Sequence, residues 1–205
     1  MKILAIIGQK GGSGKTTTAL GLAVEAVRNG RTVAVVDLDP QATAASWGDR
    51  REDKEAPAVI SCQAARLRPV LDAAKAQGVN LAIIDTAGKS NEAAISAAKV
   101  ADWVLMPIQP QMFDIETLQS VKEILALAGN PTASVLINRA AVQGRRHEET
   151  QEAAQAMGFK VAPVVLFQRT AHGDAGNIGL TAAEYEPKGK AAQEMAALYD
   201  YITTL

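Results

Sequence analysis

Short runs of Val, Ile, Leu and Ala recur along the 205-residue chain, and between them apolar positions fall three and four apart. Residues 3–7, 32–37, 81–85, 103–108, 134–138 and 162–167 are almost continuous apolar runs, and 58–61 is a weaker one. Such runs predict strands buried on both faces, as in parallel sheets covered by helices on both sides. Helical periodicity occupies 15–28, 66–77, 92–101, 115–128 and 148–157, with a last helix after Pro187. In the first helix Ala19, Leu22, Ala23, Ala26 and Val27 form one stripe, and Asn29-Gly30 supplies a C-terminal stop. The alternation predicts a single-domain α/β fold, a doubly wound, mostly parallel sheet with right-handed crossovers and helices on both faces. Segment 50–57 reads as a charged, Pro-terminated surface loop. Segment 168–186 reads as an irregular, Gly-rich loop over one edge of the sheet.

Composition sharpens this picture. Hydrophobic residues make up 48% of the chain but aromatics only 4%, so Ala, Val, Ile and Leu must fill the core. The formal net charge of −1 gives no whole-chain basic field, so nucleic-acid binding requires a local patch or an oligomer that assembles one. A lone cysteine, Cys62, excludes an internal disulfide and fits a reducing compartment, with a small buried filler as its expected role. No apolar run reaches the ~18 residues of a membrane span, and no signal-peptide cleavage pattern follows the first strand.

The chemistry concentrates at strand ends. Residues 10–17 read KGGSGKTT, between a predicted strand and a predicted helix, which is the setting of a phosphate-binding loop. Gly11, Gly12 and Gly14 let backbone N–H groups approach phosphate oxygens, and the helix N-terminus beyond Ser13 adds its dipole. Lys15 is placed for the β- and γ-phosphates of ATP, Thr16 for Mg²⁺, and Thr17 follows in the same turn. The strict pattern has Gly where Gln9 stands, next to Gly8. The second strand ends in Asp37 and Asp39, at the carboxyl edge where ligands bind in open α/β sheets. Helix capping ahead of Pro40 is an alternative role compatible with catalysis. Asp85 ends another apolar strand, and a buried acid needs a partner there; Mg²⁺, through a water, would supply one.

Taken together, KGGSGKTT (10–17) and VDLDPQ (36–41) closely resemble the deviant Walker-A ATPases of the ParA/MinD family. Further along, IIDTAG (83–88), MPIQP (106–110) and LINR (136–139) resemble its Walker B and switch II, its next strand and the strand near the base. The branch most resembled is the small ParA-type partition ATPases. The resemblance implies a homodimer sandwiching two ATP molecules, or filaments built on it. In that arrangement Lys10 reaches the partner's phosphates and Lys15 holds its own. Asp39 orients or activates the attacking water, and Asp37 lies close to Mg²⁺ with Thr16 and Asp85. Gly88 lets switch II move, Asn138 contacts adenine, and the loop after Phe167 helps enclose the base.

The same resemblance implies non-specific DNA binding by the ATP dimer, hydrolysis triggered by a centromere-binding adaptor, and a cytoplasmic, nucleoid-associated location. The basic residues of the C-terminal third, Arg139, Arg145, Arg146, Arg169, Lys188 and Lys190, are the DNA candidates, though acidic neighbours such as Glu148 and Glu149 make scattered solvated charges the competing reading. An N-terminal helix-turn-helix region is not expected. MinD-like membrane attachment is disfavoured because residues 196–205 contain no Lys or Arg. A nitrogenase-iron-protein relative is disfavoured by the single cysteine. An ATP-dependent ligase on the same scaffold stays open.

Overall fold

The computed structural model describes residues 1–51, 56–88 and 90–204. Among these residues seven strands pair, all in parallel, in the order β3-β2-β4-β1-β5-β6-β7. They are β1 (Lys2–Ile6), β2 (Val33–Asp37), β3 (Ala58–Ser61), β4 (Leu81–Asp85), β5 (Trp103–Ile108), β6 (Ala133–Ala140) and β7 (Lys160–Phe167). Every residue of β2 and β4 is buried, which is why these strands carry apolar residues at successive positions and not at alternate ones.

Successive residues feed opposite cores. Ala5, Val36, Ile84, Val104 and Ile137 face one side of the sheet, where they meet Leu71, Ala94, Leu118 and Ala154. These come from α3 (Leu67–Ala76), α4 (Asn91–Val100), α5 (Met112–Leu127) and α6 (Arg146–Ala156). Ile6, Val35, Ile83, Leu105 and Leu136 face the other side, against Leu22, Trp47, Met195 and Leu198. Those belong to α1 (Lys15–Arg28), α2 (Thr43–Asp49) and α9 (Lys190–Thr203). Small Ala side chains on both helix layers compensate for the shortage of aromatics. Cys62 is partly buried against the first core. Among the described residues no helix is long and apolar enough to cross a membrane.

Four local expectations need correction. Segment 168–186 is largely helical, holding α7 (Thr170–Asn177) and α8 (Ala182–Tyr185). Gly173 and Gly176 lower the intrinsic helix propensity there, and tertiary contacts override it. The Thr181–Glu184 capping box was the signal in the sequence. Helix α2 follows the Asp39-Pro40 turn, where periodicity marked no helix and only the capping alternative for the strand-end aspartates implied one. In segment 50–57, residues 52–55 lie outside the described residues, while Arg51 is buried and not a surface charge. Helix α5 also begins at Met112, ahead of the expected residue 115, which brings Asp114 into its first turn.

Candidate nucleotide site

β1 ends beside Asp85 of β4, and the chain then turns through residues 7–14 into α1. Gly12 and Gly14 take φ of +77° and +88°, which glycine adopts freely and other residues do not. At Gly14 the space is closed too, since a Cβ would lie 2.1 Å from Asn138 Nδ2. The loop carbonyls are taken by donors around it. Lys15 Nζ donates to Lys10 O (3.0 Å). Gln109 Nε2 and Arg139 Nη1 donate to Gly12 O (2.8 and 3.0 Å). Asn138 Nδ2 donates to Ser13 O (2.8 Å). With these carbonyls engaged, the loop's N–H groups remain for an anion at the positive end of the α1 dipole.

Above the loop lies a cleft of about 500 Å³. Gly11, Gly12, Gly14, Lys15, Thr16 and Thr17 form its floor, and Asp39, Thr86 and Gly88 stand on the β2 and β4 side. Asn138, Arg139 and residues 167–170, 172 and 173 close the other end. Ser13 is buried beneath the loop, its hydroxyl 3.4 Å from Lys10 O. Gly88 packs directly on the loop: a Cβ there would lie 2.8 Å from Gly11 N and 2.9 Å from the Lys10 carbonyl. Only glycine lets the segment after β4 come this close.

The acids divide their work. Asp37 and Asp85 are register partners on adjacent strands, and both are fully buried. Asp37 Oδ1 accepts from Asp39 N (2.9 Å), and its Oδ2 accepts from Ala44 N (3.0 Å) and Ala45 N (3.3 Å). It therefore caps α2 and ties down the loop that presents Asp39, the capping alternative of the sequence reading. Among the described residues neither Asp85 oxygen makes a hydrogen bond of good geometry, although the Thr16 hydroxyl lies close enough to favour its charged form. Burial pushes its pKa up to about 7; the Thr16 hydroxyl and Lys15 oppose this, and Asp37 and Asp39 add to it. A buried carboxyl so short of hydrogen bonds is what a cation site presents before the cation binds. Lys15 is also buried, and desolvation lowers its pKa against the fields of Asp85 and Asp39. Among the described residues no group of three or more His, Cys, Asp or Glu side chains forms a metal cluster, so a divalent ion here would depend on one or two carboxylates plus phosphate oxygens, the usual manner of Mg²⁺.

Lys10 does not point into solvent. Its ammonium is paired with Asp114 and lies 3.2 Å from Gln111 Oε1. Asp114 is buried, and its second oxygen accepts from Gln109 N (3.0 Å), so it fixes both the β5–α5 turn and the lysine. Sequence reasoning missed Asp114; the available signal was an acid in the first turn of the helix after the MPIQP strand.

The basic candidates separate. Arg139 and Arg169 line the cleft. Arg169 is paired with Glu194 of α9 at 2.7 Å and stacks 5.4 Å over Phe167. Arg145 is exposed and bonded to Glu148 at 2.6 Å. Arg146, Lys188 and Lys190 are exposed.

Comparison with known proteins agrees with this geometry. Residues 4–181 match the family described as the CobQ/CobB/MinD/ParA nucleotide binding domain. The chain is 29% identical to the maintenance of carboxysome distribution protein A of Gloeobacter kilaueensis, covering 97% of this chain and 90% of the relative. It is 26% identical to the chromosome-partitioning ATPase Soj of Thermus thermophilus, covering 97% and 94%. Among solved structures, the septum site-determining protein MinD of Pyrococcus horikoshii, complexed with Mg-ADP, superposes with a TM-score of 0.76 at 19% identity, covering 98% of this chain and 95% of that one. The parallel sheet is the fold of this solved relative, and the chain belongs to the CobQ/CobB/MinD/ParA nucleotide-binding family.

Proposed function

We propose that this chain is an ATP-driven switch for DNA partition. It binds Mg-ATP in the cleft, pairs with a second copy in that state, holds DNA without sequence preference, and hydrolyses ATP when a centromere-binding adaptor engages it. The observation that carries the reading is Lys15, inside a braced phosphate loop, facing the buried Asp85 carboxylate. In this reading Thr16 and Asp85 hold Mg²⁺, and Asp37 contributes a fixed negative charge behind it. Mg²⁺, when bound, offsets the charge of the phosphate oxygens. Lys15 neutralises the β- and γ-phosphates, and Asp39 orients the attacking water. Lys10 leaves Asp114 to reach the second copy's phosphates. Asn138 and the 167–173 segment surround the base. The Mg-ADP complex of the Pyrococcus relative supports the choice of ligand, and the alignment with Soj over nearly the whole chain supports partition.

A second reading, in which the same switch positions a protein cargo, is favoured by the similarity to the carboxysome distribution protein. DNA binding is part of the partition reading, and of the six basic candidates Arg145, Arg146, Lys188 and Lys190 are exposed outside the cleft. Two aligned patches neutralise more phosphates than one, so affinity should fall about linearly with salt on logarithmic axes. Fluorescence anisotropy with two unrelated duplexes is the test. Binding to both with an ATP analogue, and much weaker binding with ADP, is expected. No binding in either state at low salt would remove the DNA-based reading. Lys188→Ala is a cleaner probe than Arg169→Ala, because Arg169 also shapes the nucleotide cleft.

A further inference from the structure

The loop that presents Asp39 has local ties, Asp39 N donating to Asp37 Oδ1 and Gln41 N to Asp39 Oδ1 (both 2.9 Å), but it leads into a helix with little stability of its own. Helix α2 behind it has seven residues, too few to hold its own shape. Ala42, at its N-cap, takes φ +49° and ψ +39°, a strained conformation for a residue with a Cβ, which persists only where surrounding contacts impose it. Asp37 anchors the front of this helix. The back is anchored by a buried polar cluster outside the cleft. Trp47 is buried and its indole N–H donates to Leu180 O (3.0 Å). The Arg51 guanidinium lies 4.4 Å over the Trp47 ring. Arg51 Nη2 donates to Glu184 Oε1 (2.9 Å) and Ala56 O (2.9 Å), and its Nη1 to Glu184 Oε2 (3.0 Å) and Gly179 O (2.8 Å). Glu184 is itself held by the Thr181 N–H (2.9 Å) of its capping box. The α7–α8 connection meets α2 so closely that a Cβ on Gly179 would lie 2.7 Å from the Arg50 carbonyl.

A bidentate pair with side chains 3% and 11% exposed is poor evidence for stability, because desolvating two charges offsets most of their attraction. What such a pair does well is fix geometry, since the planar fork accepts one arrangement. We infer that Arg51 is a positioning residue for ATP hydrolysis: clamped between Trp47 and Glu184, it locks α2 against α8 and so holds the Asp39 loop in register with the phosphate loop. This rests on the reading that Asp39 orients the attacking water. Arg51 lies outside the cleft lining, so its effect falls on turnover and not on ATP affinity.

The test measures single-turnover ATP hydrolysis and calorimetric ATP affinity for Arg51→Lys, Asp39→Ala and the double variant. Lysine keeps the charge but loses the fork. Arg51→Lys should slow hydrolysis roughly 10- to 100-fold, the cost of a small misplacement of a reacting group, with ATP affinity within about threefold of the parent. The double variant should be no slower than Asp39→Ala alone, because both changes remove the same contribution. Should Arg51→Lys fail to fold, Glu184→Gln breaks the same pair and takes its place. Parental turnover in a folded Arg51→Lys overturns the inference while Asp39→Ala remains slow. Fully additive losses in the double variant overturn it as well, since a merely structural defect adds to loss of the carboxylate. Parental turnover in Asp39→Ala overturns the underlying reading of Asp39, and this inference with it.

Discussion

Lys15 and Asp85 are the two cleft residues whose ionisation burial opposes most clearly. A lysine this buried, bonded to a backbone carbonyl and facing acids, is placed to exchange that carbonyl for phosphate oxygens. Lys15→Ala should weaken ATP binding on the order of 10- to 100-fold, the worth of one charged hydrogen-bonding partner; calorimetry on the folded variant measures it. Asp85 makes a prediction about pH. Its pKa is about 7 in the folded chain against 3.8 as its ordinary value, so the native state binds the proton more tightly. Below the lower value the group has no effect on stability. The penalty grows as pH rises through this window and is complete above it. Nucleotide-free protein in chelator should therefore gain stability from Asp85→Asn at pH 8, by roughly 1–3 kcal/mol, and gain almost nothing near pH 4. Equal melting shifts at both pH values would show that Asp85 is not the buried charge described.

At the scale of elements, the site is made by contacts between turns. Gly88, after β4, rests on the backbone of Lys10 and Gly11, and neither partner is a side chain that can swing away. Gly88→Ala should displace one of the two loops, at a cost of about 1–3 kcal/mol of strain, and slow turnover more than it lowers melting temperature, because the core lies below this contact. A Gly88→Ala protein with parental turnover would mean that the loops separate freely. Element boundaries carried consequences as well. Starting α5 at Met112 gives Asp114 its place in the first turn, and with it a hold on Lys10 that a start at residue 115 would not provide.

For the whole molecule, the pairing of Lys10 with Asp114 sets up a competition. The lysine is either held within its own chain or free to serve a second copy. Lys10→Ala should retain ATP binding and lose ATP-dependent association. Asp114→Asn weakens the internal hold and should bring association to lower protein concentration. Light scattering across a concentration series with a non-hydrolysable analogue reads both. Association of Lys10→Ala indistinguishable from the parent would remove Lys10 from the interface.

Much of this was legible in the chain itself. Buried parallel strands need apolar residues at every position, so β2 and β4 declare themselves, and with them the α/β class. A loop of glycines and a lysine between strand and helix has few other uses, so the phosphate site is as local as its chemistry. What tertiary structure decided is whatever joins distant segments. Asp37 reads as a metal candidate in the sequence, yet its oxygens are taken by the backbone of α2. Arg169 reads as a free cation, yet Glu194 of α9 holds it beside the cleft. Arg51 reads as one charge among several in a surface loop, yet it is enclosed by Trp47 and Glu184. Local propensity is set by neighbours along the chain, whereas the state of a charged side chain is set by which opposite charge and how little water the fold brings to it.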